Sequence, residues 1–145
     1  MTASEGTNVM TADPAKLRQI AHDYAKAWSS KSPAAVASFF APNARMVINR
    51  GDALNGQAEI AEMAKGFYTA FPDLVVHCDA LRTAGDHAVF VWTLDGHHVE
   101  TKNRVQVGGW EEWNFDESLK IESSLGWFDS AEYARQIAEG ASEPS

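Results

Sequence analysis

Only one cysteine, Cys78, occurs in the 145 residues, which excludes an internal disulfide and a cysteine-rich metal site. Basic residues are also scarce. The 12 Lys and Arg stand against 20 Asp and Glu for a formal charge of −8, and such a chain repels phosphate backbones and anionic lipid surfaces. Neither nucleic acid nor a membrane is therefore expected as a partner. No uninterrupted apolar run approaches the roughly 18 residues of a membrane-spanning helix. The opening MTASEGTNVMTADPAK has no apolar h-region and no amphipathic basic pattern, so a cytoplasmic protein is expected. A glycine-rich phosphate loop is missing, because Gly108-Gly109 falls within a strand pattern, and so is a Gly-x-Ser-x-Gly nucleophile elbow. Covalent catalysis has no motif to rest on.

What the chain does have is an ordinary globular composition, 45% hydrophobic and 22% charged, at a length that suits one domain with a sizeable core. Residues 1–12 are small and polar, with Met10 offering a second start, and read as a disordered extension; 13–139 form the single domain; 140–145 read as a disordered tail. Asp13-Pro14 signals a helix start, and Leu17, Ile20, Ala21, Tyr24, Ala27 and Trp28 follow helical spacing. Ser32-Pro33 repeats the signal for a short helix that carries Val36, Phe39 and Phe40 and is stopped by Ala41-Pro42. Met46–Ile48 fits a short strand. Ile60, Met63, Ala64, Phe67 and Phe71 mark a third helix, closed by Pro72-Asp73. From Leu74 onward the period changes to that of strands: Leu74–Thr83, His87–His98, Arg104–Phe115 and Leu119–Phe128, an antiparallel meander, with Ser130–Ala138 offering a last short helix. The order ααβαββββ implies an α+β domain whose helices cover one face of the sheet.

Alternation along Arg104–Phe115 sorts Val105, Val107, Gly109, Glu111, Trp113 and Phe115 onto one face. Glu111 is thus a carboxylate among valines and aromatics, whereas Glu112 falls on the polar side. A carboxyl so placed has its pKa raised, which suits a general acid or base, although a Glu at a sheet edge that reaches solvent has the same pattern. In the preceding strand Phe90, Trp92, Leu94, Gly96 and His98 share a face, so His98 is a second candidate, with a hydrogen-bonded structural histidine as the other reading. Tyr24 is a third, as a donor to a ligand carbonyl. Consecutive strand residues His97 and His98 point to opposite sides, and His77 with Asp79 lacks a third ligand, so neither a metal nor any other cofactor is expected. Trp110, Glu112 and Asn114 lie on the opposite face, and an outward Trp there suggests an interface.

The order of elements, together with AWSSKSPAAVASFFAPNARM, WTLDGHH and GWEEWNFDESLKIESSLGWFD, resembles the nuclear transport factor 2-like superfamily, and within it the SnoaL-like polyketide cyclase and ketosteroid isomerase branch, over about residues 14–138. The resemblance implies a cone-shaped α+β barrel, a curved antiparallel sheet wrapped around the long N-terminal helix, with an apolar pocket open at one end. It implies a catalytic set of Glu111, His98 and Tyr24, and a pocket built from Trp28, Phe40, Met63, Phe67, Trp92, Trp113 and Phe128. The general-base aspartate of the isomerases matches Ile48 in this chain, so steroid isomerisation by that route is not implied. For the last strand, alternation turns Ile121, Leu125 and Trp127 inward whereas the family register turns Glu122, Ser124, Gly126 and Phe128 inward, which points to a bulge. Two functions remain open: a cofactor-independent lyase or isomerase acting on a small hydrophobic carbonyl compound, or a non-catalytic small-molecule-binding or dimerisation module. A homodimer through the convex sheet face is expected in either case.

Overall fold

The computed structural model describes residues 13–141, so the expected extension over 1–12 and all of the expected tail beyond Ala141 lie outside the described residues. The first residues of that tail are held in place: Gly140 and Ala141 donate backbone hydrogen bonds to the carbonyl oxygens of Gln136 and Arg104. Helix α1 (Pro14–Ser29) starts where Asp13 accepts a 2.9 Å bond from the Ala15 N–H, with Pro14 in the first turn, and it buries Leu17, Ala21, Tyr24, Ala25 and Trp28. Helix α2 (Pro33–Ala37) is capped by the Ser32 hydroxyl, 3.1 Å from the Ala35 N–H.

Helix α2 ends before Phe39 and Phe40, which the sequence had suggested as part of it. Phe40 instead opens strand β1 (Phe40–Ile48) and pairs in parallel with Ile121. Pro42 does not break this strand because it falls where the β1 register shifts, between Phe40 and Arg45, and no ladder N–H is needed there. A two-residue strand, β2 (Leu54–Asn55), leads into helix α3 (Gly56–Ala70). Strands β3 (Val75–Ala84), β4 (His87–His97), β5 (Arg104–Phe115) and β6 (Ile121–Phe128) form the expected meander, and helix α4 (Ser130–Glu139) follows. They build one curved sheet in the order β2-β1-β6-β5-β4-β3, antiparallel except for the β1/β6 pair. No described helix is long and apolar enough to cross a membrane.

Alternation holds along β5, where Val105, Val107, Glu111, Trp113 and Phe115 are buried. In β6 the register shift opposite Asn114/Phe115 lets both readings of that strand apply in part. Ile121 points inward on one side of the shift, and Ser124 is buried on the other, while Glu122, Leu125 and Trp127 are exposed. The bulge moves the inward set from odd to even positions.

On the outer face His87 sits between two acceptors, Asn114 Oδ1 and Glu112 Oε2, each 2.9 Å from a ring nitrogen. The Asn114 bond is the largest cause that raises its pKa above the ordinary 6.5; burial opposes it, and the Glu112 carboxylate and the Asp86 charge add to the rise. A folded-state value above the unfolded one makes this contribution complete below pH 6.5 and lost as pH rises through the raised value. A proton NMR titration should therefore find His87 titrating above free imidazole, with the shift shrinking in salt because the pair is half exposed.

Candidate functional site

Glu111 lies mid-strand on the inward face of β5 and is 6% exposed. Three donors from three elements converge on it. Trp113, two residues along the same face, donates its Nε1–H to Oε1 at 2.9 Å. Ser124, turned inward by the β6 bulge, donates its hydroxyl to Oε1 at 2.9 Å. Tyr24 reaches across from α1, its hydroxyl 3.0 Å from Oε2 and 3.2 Å from Oε1. Five rings fix Tyr24 by edge contacts, the nearest being Trp113 at 5.2 Å and Phe90 at 5.4 Å between centroids.

Burial raises the Glu111 pKa above the ordinary 4.5, and the bonds from Trp113, Ser124 and Tyr24 pull the other way without cancelling it. Burial, and then the neighbouring Glu111 charge, hold the Tyr24 hydroxyl well above its ordinary 10.0, so it stays a donor at neutral pH. The donors are shared unequally: Oε1 faces all three and Oε2 only Tyr24. Oε2 is therefore the oxygen with the more acceptor capacity left.

Glu111 lines a cavity of about 60 Å³. At roughly 10–15 Å³ for each water-sized occupant, this admits a molecule of a few heavy atoms or one end of a larger one. Glu111 carries the only carboxyl group among the lining residues, and no lysine, arginine or histidine joins it. Of the residues expected to form the pocket, Trp28, Met63, Phe67, Trp92 and Phe128 line this cavity. Trp113 and Phe40 do not. Both are fully buried behind it, Trp113 stacked on Phe90 at 4.9 Å and Phe40 against Tyr24 at 5.9 Å. Tyr24 also stands outside the lining, with its hydroxyl committed to Glu111, so it positions the carboxyl rather than offering a donor to a ligand.

His98 does not converge on this cavity. Strand β4 ends at His97, where Asp73 accepts both the His97 backbone N–H at 2.8 Å and its ring Nδ1 at 2.6 Å, so the alternation that placed His98 inward stops one residue short of it. The His98 Nδ1 accepts backbone N–H bonds from Glu100 and Thr101, and the ring meets Phe71 edge-on at 5.4 Å. Its ring is hydrogen-bonded and packed outside the cavity lining.

Sequence reasoning passed over Tyr133. It was read only as part of a short helix, yet it lines the cavity from α4, half-buried against Phe128 at 5.3 Å, with no described hydrogen bond to its hydroxyl. Ile48 and Met46, from β1, complete the lining near β6. Asn49 clamps that end of the sheet, donating its N–H to the Gly126 carbonyl and accepting the Phe128 N–H on Oδ1, both at 2.9 Å. Among the described residues no group of His, Cys, Asp and Glu is arranged to hold a metal ion.

A family model described as a SnoaL-like domain matches residues 21–123. No curated protein matches the chain. Among solved structures, a protein with a ketosteroid isomerase-like fold from Catenulispora acidiphila, in complex with trimethylamine, is 19% identical, covers 83% of this chain and 92% of its own, and superposes with a TM-score of 0.76. The epoxide hydrolase/cyclase-like enzyme SalBIII, with a role in pyran ring formation in the polyether salinomycin, is 17% identical over 83% of this chain and 95% of its own, at a TM-score of 0.73. A protein described as a candidate SnoaL-like polyketide cyclase, from Jannaschia, is 13% identical over 90% of this chain and 98% of its own, at 0.74. At these identities the likeness is one of fold.

Proposed function

The chain belongs to the SnoaL-like family, and from that premise we propose that it is a cofactor-independent lyase or isomerase in which Glu111 moves a proton on a small hydrophobic carbonyl compound. One observation carries the reading: a single carboxyl, held by three neutral donors, is the only acid among the residues lining an otherwise apolar cavity. As the carboxylate, Glu111 takes a proton from the carbon next to the carbonyl. The bond electrons pass into an enolate, and the resulting acid returns its proton from Oε2 to the same carbon or to another one. Trp113, Ser124 and Tyr24 hold the carboxyl through both states. We assign Tyr133, which lines the cavity and has no described hydrogen bond to its hydroxyl, as donor to the developing oxyanion.

Deuterium uptake at the carbon next to the carbonyl, followed by NMR over a panel of small ketones in heavy water, tests this directly. Tyr133→Phe should slow the exchange by about 10²-fold, the usual loss on removing one oxyanion donor. Ligands that bind but never exchange, across the whole panel, would instead support the binding-module reading.

The outer sheet face supports a homodimer. Trp110, Leu125 and Trp127 are 44%, 53% and 40% exposed, and the two tryptophan rings lie 6.4 Å apart on paired strands. A second copy of the chain is the occupant that such a patch fits, since a two-fold axis brings an apolar row onto itself. Sedimentation should give a dimer at micromolar concentration and a monomer for Trp110→Ala/Leu125→Ser; an unchanged dimer in that variant places the interface elsewhere.

A further inference from the structure

Strands β5 and β6 each carry a glycine beside the site, and the two have different reasons to be glycine. A Cβ added at Gly109 would lie 2.2 Å from the Trp127 carbonyl oxygen and 2.6 Å from Trp92 Cζ2. The first is backbone and cannot give way, so Gly109 is required by the close approach of the two strands. At Gly126 the same construction meets Glu111 Cγ and the Trp110 carbonyl oxygen at 3.7 Å and Ile48 Cγ1 at 3.8 Å, all ordinary van der Waals distances. Gly126 lies within a strand, paired with Glu111 on one side and Ile48 on the other, and it lines the cavity. A glycine in mid-strand weakens the strand and leaves nothing to pack. Here no turn and no backbone contact asks for it.

We infer that Gly126 is a specificity-determining residue: the methyl-sized space that it leaves between Glu111 and Ile48 is filled by the ligand. The inference rests on Glu111 being the group that the ligand meets, and it narrows the ligand class to compounds that bear a substituent next to the carbonyl. Alanine at this position would fill the space with a protein methyl group and leave the polar arrangement around Glu111 untouched. The same reasoning makes Ile48 the reciprocal control, because shortening it reopens the room that the alanine has taken.

Cyclopentanone and 2-methylcyclopentanone serve as probes, with binding followed by quenching of the tryptophans that line the cavity, Trp28, Trp92 and Trp127. The wild-type chain should prefer the methylated ketone. Gly126→Ala should melt no lower than the wild type and lose about tenfold or more in affinity for 2-methylcyclopentanone, with little change for cyclopentanone, as one methyl group commonly counts for in an apolar pocket. Adding Ile48→Ala to that variant should restore the preference, while Gly66→Ala, on the open side of α3 where a Cβ meets nothing, should alter neither affinity.

Equal affinities of Gly126→Ala and wild type for both ketones would overturn the inference. So would a lower melting temperature with both affinities lost together, which makes the glycine structural, or a wild type that binds neither ketone. Binding is read without turnover, so the two ideas fail separately: size discrimination without proton exchange removes the acid–base reading alone, and exchange without size discrimination removes this one alone.

Discussion

Glu111→Gln should fold, keep its apolar ligands and lose about 10²–10⁴-fold in turnover, the range over which one positioned acid or base accelerates a reaction. The amide keeps the length of the side chain and an oxygen that can still accept from Trp113 and Ser124, so the burial site is preserved while the exchangeable carboxyl proton is gone. A second readout separates chemistry from structure. The folded-state pKa of Glu111 lies above 4.5 because of burial. Its contribution to stability is therefore fully present below pH 4.5 and fades as pH rises through the folded value, where the carboxylate must be buried as a charge. Over that window the melting temperature of the wild type should fall relative to the Gln variant. Full turnover in the variant would remove Glu111 from the mechanism, and parallel melting curves would mean that its titration is not coupled to folding.

Sequence arithmetic reached the centre of this site because β5 is regular. Twelve residues from Arg104 to Phe115 alternate without interruption from Val105 to Phe115, so the inward position of Glu111 and the outward position of Glu112 follow from counting by two. Counting failed where the chain stops being regular. Ala41-Pro42 resembles a helix stop and so points Phe40 into a helix, whereas a register shift accommodates the proline inside β1. Alternation along β4 points His98 inward only when it is extended one residue beyond His97, where the strand ends at the contact with Asp73. Both errors concern a contact between segments far apart in sequence, and no local period encodes that. The β6 bulge was legible as a conflict between two registers, and its inward serine is the one that Glu111 uses. Local spacing marks Tyr133 only as part of a helix, since its place at the cavity depends on how α4 docks against the sheet.

The largest effect on the fold together with the chemistry is expected at Trp113, which is wholly buried and does two jobs that one pair of substitutions can separate. Its ring stacks on Phe90 at 4.9 Å with 12° between planes and meets Tyr24 and Phe115 edge-on. Trp113→Ala removes all of this and should cost about 3–5 kcal/mol, a large share of the roughly 5–15 kcal/mol that holds an ordinary domain folded, so its melting temperature should drop steeply. Trp113→Phe keeps an aromatic ring in the stack but deletes the Nε1–H that Glu111 Oε1 accepts. Losing a donor to a buried charged group should cost about 1–3 kcal/mol, and the loss falls on the carboxylate more than on the neutral acid, so the Glu111 pKa must rise further. If the carboxylate is the working base, the acidic limb of the kcat/KM profile moves to higher pH in Trp113→Phe, and activity recovers towards the wild type on the alkaline side. A role limited to packing would lower the whole profile without moving the limb. That displacement, measured beside the melting temperatures of both variants, decides whether the indole tunes the acid or only supports the core.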